Sequence, residues 1–147
     1  MVTNSLMQTL LEANLKFYPA TNSLKGHSSD NQCYLWVEPP WRLVKDKRLI
    51  ASSFTCPWHE DFKSKMEYDD AFGKWANSFS YLNTILIKSY NLNAYNDLVI
   101  EWTDGSVMEV IQKDQENESW YFSDKRENKI YLAYPDRLSI QPLGKPA

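Results

Sequence analysis

The chain is poor in the residues that small-molecule chemistry usually demands. Of its 147 residues only four are glycine, two are cysteine and two are histidine. Neither G-x-G-x-x-G nor G-x-x-x-x-G-K occurs, so nucleotide phosphates have no glycine-rich backbone to cradle them. The G-x-S-x-G and H-E-x-x-H patterns are missing too, which removes the nucleophile elbow and the zinc-protease helix. Two cysteines cannot build a disulfide scaffold, and in a reducing compartment both are expected as free thiols. No apolar run approaches the roughly 18 residues of a membrane span. Met1 is followed by Val-Thr-Asn-Ser-Leu, with no basic n-region and no apolar h-region, so the expected compartment is the cytosol and no membrane partner is expected. Cations are not in excess either. The formal net charge of −3 argues against nucleic acid as a partner, since that role needs a basic stripe to displace counterions from phosphates. A basic protein partner suits this charge better.

What the chain does have is aromatic surface. Aromatic residues make up 14%, including six Trp and nine Tyr, and they serve strands and recognition surfaces alike. Length and an ordinary balance of apolar and charged residues predict one globular domain over residues 1–147.

Periodicity divides the chain as follows. From Ser5 to Phe17, Leu6, Leu10, Leu11 and Leu15 recur at helical spacing, and Pro19 closes the pattern. Thr21 to Asn31 is polar and reads as a loop, after which Gln32 to Glu38 reads as a strand. Pro39-Pro40 lacks two amide protons, so it is expected at a strand end or bulge on a sheet edge. Trp41 to Val44 and Arg48 to Ser53 form a hairpin around Lys45-Asp46-Lys47. Between Glu60 and Leu82, Phe62, Met66, Phe72, Trp75, Ala76, Phe79 and Leu82 take helical spacing, giving one bent helix or two abutting ones with Asp69 or Asp70 as an internal cap.

After an Asn-rich loop at Asn91 to Asn96, Leu98 to Trp102 and Val107 to Ile111 are joined through Asp104-Gly105, read as a type I′ turn. That turn pairs Trp102 with Val107, Ile100 with Glu109 and Leu98 with Ile111, and puts Val99 and Val110 on the opposite face. Trp120 to Ser123, Lys129 to Tyr134 and Leu138 to Gln141 are further strands, and Pro142 to Ala147 is a loose tail. Runs of strands without βα alternation predict an α+β fold: an antiparallel sheet of about seven or eight strands, one or two helices, and a short N-terminal helix. Trp36, Trp75 and Trp102 are expected in the core.

Two groups of residues are candidates for chemistry or recognition. His27, Cys33, Cys56 and His59 offer four ligands for tetrahedral zinc, Cys56 and His59 with a two-residue gap, although buried thiols and surface imidazoles are the commoner meaning. Acidic runs at Glu67, Asp69 and Asp70 and at Asp114, Glu116 and Glu118, with Tyr68 and Trp120 as aromatic anchors, suit a basic partner, though such runs are usually solvated turns and helix starts. No catalytic residue is expected and no cofactor.

Two segments carry a family resemblance: Tyr34-Leu-Trp-Val-Glu-Pro-Pro-Trp-Arg-Leu43 with Ile50-Ala-Ser-Ser53, and Asp97-Leu-Val-Ile-Glu-Trp-Thr-Asp-Gly-Ser-Val-Met-Glu-Val110 with Glu118-Ser-Trp120. They resemble the bacterial immunity-type proteins of polymorphic toxin and contact-dependent growth inhibition systems. In that group a strand ending in a Pro-Trp-Arg-Leu element precedes a helix, and an Asp-Gly-Ser hairpin leads to a Trp-containing strand. The likeness spans Gln32 to Leu138. It implies a non-enzymatic protein that binds a cognate toxin domain, often a basic nuclease, and holds it inactive. The alternatives are a small zinc-binding protein and a small-molecule binder with an aromatic-lined pocket between sheet and helix.

Overall fold

Alternation with a period of two over residues 16–52 and 87–142 yields eleven strands in the computed structural model, which describes residues 2–144. All pair antiparallel, in two sheets. The first has six strands in the order β1 (Lys16–Ala20), β2 (Ser23–His27), β3 (Cys33–Val37), β9 (Trp120–Asp124), β10 (Lys129–Tyr134), β11 (Arg137–Pro142). The second has five, in the order β5 (Arg48–Ser52), β4 (Trp41–Lys45), β8 (Val107–Val110), β7 (Leu98–Trp102), β6 (Ile87–Leu92). Helix α1 (Val2–Ala13) packs on β6, and α2 (Lys65–Asn77) lies between β5 and β6 in the chain. The class is therefore α+β, with two sheets and eleven strands where the pattern predicted one sheet of seven or eight.

The three additional strands have specific causes. Asn14 adopts φ 50 and stops α1, so Leu15 lies in the connection and Phe17 in strand β1, and neither belongs to the last turns of a helix. Strand β2 lies inside the segment read as a loop because its inner face carries only Leu24 and Gly26. The ring of Phe17, directly across in β1, fills the space above Gly26, so the apolar signal sits on the neighbouring strand. Strand β6 takes Asn91 as an outward residue and leaves only residues 93–97 as the loop. Pro142 closes β11 instead of starting a tail, and residues 145–147 of the expected tail lie outside the described residues.

The turn at Asp104-Gly105 corrects the expected register. Only Gly105 has positive φ there, and Gly105 N donates to Trp102 O at 3.1 Å while Trp102 N donates to Ser106 O at 2.9 Å. This is a three-residue connection with a bulge, not a two-residue type I′ turn, and it shifts pairing by one: Leu98 faces Val110 and Ile100 faces Met108. A one-residue slip exchanges faces. Leu98, Ile100, Trp102, Met108 and Val110 consequently all point inward, each 1% exposed or less. Positive φ at both central residues occurs instead at Asp46 and Lys47, between β4 and β5.

The inner faces meet in one core in which Phe17 of the first sheet sets its ring edge against Trp102 of the second at 5.9 Å. Trp41, Trp75 and Phe79 close the side under α2. Ser64, and neither Asp69 nor Asp70, caps α2, its hydroxyl accepting from Glu67 N. The expected helical stretch resolves into α2 and a 3-10 turn at Ser80–Thr84, and Met66 faces solvent despite sharing the apolar spacing. Pro39-Pro40 ends β3 as expected, but at the crossover from one sheet to the other; β3 and β4 are both interior strands. Trp75 and Trp102 are core, whereas Trp36 is half-buried on an outer face.

Candidate aromatic recognition face

The two outer faces differ in chemistry. On the five-stranded sheet, outward side chains pair as ordinary solvated charge: Arg42 with Glu109 at 2.9 Å, Lys88 with Glu101 at 3.6 Å, and Lys45 with Asp104 at 3.1 Å. Such exposed pairs contribute little and mark no site.

The six-stranded sheet instead presents rings. On β3, Cys33, Leu35 and Val37 point inward, so Tyr34 and Trp36 must point out. Register then places His27 opposite Tyr34, and Lys25 and Tyr121 opposite Trp36 on either side. The rings run without a break over four strands. Centroid separations are 5.5 Å for Tyr18–His27, 6.0 Å for His27–Tyr34, 6.3 Å for Tyr34–Trp36 and 6.5 Å for Trp36–Tyr121. Trp36 stacks between Tyr34 and Tyr121 at interplanar angles of 20° and 18°, the two tyrosines being tilted 38° from each other. Leu132, opposite Tyr121 on β10, extends the apolar surface.

This face is held in place from its edges. Glu38 accepts from Trp36 Nε1 at 2.7 Å and from Ser23 Oγ at 3.2 Å, fixing the indole. Burial and then the nearby Tyr121 push the Tyr34 hydroxyl up, while burial and then the charges of Glu38 and Glu118 push the Tyr121 hydroxyl up. At the far edge Asn83 imitates a neighbouring strand: its Oδ1 accepts from Phe17 N at 2.8 Å and its Nδ2 donates to Phe17 O at 2.9 Å. That clamp, with Pro19, blunts β1 against further pairing and sets Tyr18 in position.

A groove of about 500 Å³ continues from Tyr18 between β1 and α2, walled by Phe17 and Phe79, with Asp69 and Asp70 at its α2 side. The acidic run predicted on α2 thus adjoins the aromatic face, although Asp69 is engaged by Lys65 at 2.6 Å and Asp70 lies 4.0 Å from Lys74. Glu67 sits in the first turn of α2, and Tyr68 packs on Phe62 and Phe72. At the opposite end Glu118 is close enough to raise the Tyr121 hydroxyl. Asp114 lines a different cleft with Tyr95 and Pro135, where it accepts from Glu116 N at 2.9 Å and Asn117 N at 2.8 Å. Trp120 corrects the expectation of an anchor: it points inward, fully buried, with Nε1 donating to Asn96 O at 2.9 Å.

The four Cys and His residues do not converge. Cys33 faces the core beside Asp124, His27 faces out on the next strand, and Cys56 and His59 lie beyond β5 around a short 3-10 turn. Among the described residues no group of three or more His, Cys, Asp or Glu is placed to share a metal ion. Among them, too, no helix is long and apolar enough to cross a membrane.

Sequence reasoning missed Tyr18, His27, Tyr34, Trp36 and Tyr121 as a set. The signal was present as aromatics at the outward positions of alternating strands, but it is readable only once β1 and β2 are recognised and β3 is paired with β9. Comparison with known protein families, with curated proteins and with solved structures finds no match to this chain.

Proposed function

We propose that this chain is a non-catalytic binding protein that holds a cognate toxin domain inactive, and that it binds through the outer face of the six-stranded sheet. The observation that carries this reading is the ring series Tyr18, His27, Tyr34, Trp36 and Tyr121, five aromatic side chains in sequence over the outer face of four strands, Tyr18 exposed and the other four half-buried. Tyr and Trp dominate interface energetics because they supply large rigid contact area, and contiguous exposed apolar patches mark binding sites. Acidic groups at both ends of the series, Asp69 and Asp70 through the groove and Glu118 beside Tyr121, suit a basic domain. Lys25, standing between Tyr18 and Trp36, gives the centre one cation that a partner carboxylate or carbonyl would meet. The likeness of the Pro-Trp-Arg-Leu and Asp-Gly-Ser segments to immunity-type proteins selects toxin neutralisation among protein-binding roles.

The test is to identify the product of the gene adjacent to this one and, if it is a toxin, to express its toxin domain with and without this chain. Neutralisation requires growth to be restored and a one-to-one complex to be isolated; unrestored growth with both proteins present defeats the reading. A small-molecule binder is the second reading, favoured by the groove between β1 and α2. Native mass spectrometry of the purified chain separates the two, since that reading requires a bound mass of a few hundred daltons that disappears when Phe79 is enlarged to Trp.

A further inference from the structure

The edges of the two sheets are not guarded equally. Asn83 and Pro19 blunt β1, and α1 packs against β6, whereas β11 pairs only with β10 and β5 only with β4, with a register shift that leaves Ile50 as an extra residue in β5. Among the described residues the backbone groups of residues 48–51 make no hydrogen bond except to β4. Over β4 and β5 lies a groove of about 460 Å³, lined by Pro40, Val44, Leu49, Phe54 and Ile111 among others. Two of these side chains are far more exposed than their type predicts, Phe54 at 83% and Leu49 at 57%.

Charge separates this groove from the aromatic face. The charged side chains lining it are Arg42 and Lys47, both cationic, on a chain whose net charge is −3. Arg42 is already engaged by Glu109, whereas Lys47 and the adjacent Arg48 form no ion pair among the described residues.

We infer that β5 and this groove form a second docking site, which takes an extended, acidic segment of a partner polypeptide as a sixth strand of the five-stranded sheet. Main-chain hydrogen bonds to residues 48–51 supply the pairing, a large apolar side chain seats between Leu49 and Phe54, and a carboxylate meets Lys47 or Arg48. A second copy of this chain fits less well, because its own β5 would bring Lys47 and Arg48 toward a groove that already holds cations. The inference rests on a different surface from the aromatic face and does not depend on toxin binding.

The probe is a capped octapeptide, Thr-Glu-Thr-Phe-Thr-Val-Thr-Glu, titrated into the isotopically labelled full chain at low salt. Saturable shifts and slowed hydrogen exchange confined to residues 47–54 are expected, with affinity at least tenfold weaker for the peptide whose two Glu are exchanged for Lys. Phe54→Ser, at a side chain too exposed to support folding, should weaken binding to the same degree, while Trp36→Ala leaves it unchanged. Absence of saturable binding at millimolar peptide, equal binding of the lysine peptide, or concentration-dependent self-association through β5 in sedimentation equilibrium would each overturn the inference.

Discussion

Replacing Gly26 by alanine probes the packing that holds β1, and with it Tyr18, against the rest of the sheet. A Cβ at this position would stand 2.8 Å from Phe17 Cε1, 3.1 Å from Cδ1 and 3.3 Å from Cζ. The ring is 4% exposed and set against Trp102 at 5.9 Å, and its backbone is held by Asn83, so it yields only by losing those contacts. Overpacking of this kind costs about 1–3 kcal/mol. Removing a glycine from the unfolded chain offsets about 0.4–1 kcal/mol of that, leaving a net loss of about 1.3 kcal/mol at the middle of both ranges. For a chain of this size the midpoint of thermal unfolding should fall by about 2–8 °C. Equilibrium urea unfolding of Gly26→Ala, Phe17→Leu and the double variant measures the coupling directly. The double variant should be more stable than the two single losses added together, because the smaller side chain accepts the new methyl. A Gly26→Ala protein at least as stable as its parent refutes the packing argument.

Three further perturbations test other parts of the structure. Trp102→Ala empties the centre of the core and should cost about 3–5 kcal/mol in urea unfolding; a parent-like midpoint contradicts the inner placement of β7. Among the described residues the buried Tyr90 hydroxyl has no partner, and burial drives its pKa far upward, so Tyr90→Phe should leave stability unchanged or raise it by up to about 1 kcal/mol, while a clear loss would reveal a partner for the hydroxyl. Burial pushes the Asp124 carboxyl up, but hydrogen bonds from the Arg126 side chain and backbone outweigh it and hold the group below its ordinary value of 3.8. Its contribution is therefore fully present above pH 3.8 and drains away as the pH falls through the lower folded value, so unfolding free energy against pH should be flatter in this window for Asp124→Asn than for the parent.

Strong alternation was legible where both faces had their own side chains. Residues 33–37, 98–102 and 120–124 each read as strands because buried and outward residues take turns along them. It failed where one strand borrows its apolar cover from another: Gly26 and Leu24 look like loop residues until Phe17 is placed above them. Leu15 fits both a helical and an alternating series, and only the left-handed backbone at Asn14 decides between them. Asp104-Gly105 announced a hairpin correctly, yet the count of residues in the turn, which dipeptide chemistry does not fix, chose the buried face. The candidate site was harder because it is a property of pairing. Trp36 carries an apolar side chain in a patterned strand and reads as core, and its outward position follows from the burial of Leu35 and Val37 beside it. Asp69 and Asp70 were visible as an acidic run, but their nearness to Tyr18 depends on α2 lying along the β1 edge.

If the proposed partner binds through the rings of the six-stranded sheet, the dissociation rate of the complex responds to those rings first. Trp36→Ala and Tyr121→Ala, each first shown by urea unfolding to remain folded, should speed dissociation at least tenfold and abolish growth protection, because truncating a central aromatic acts on dissociation. Dissociation at the parental rate with full protection in both variants would contradict the account and place the interface on another surface.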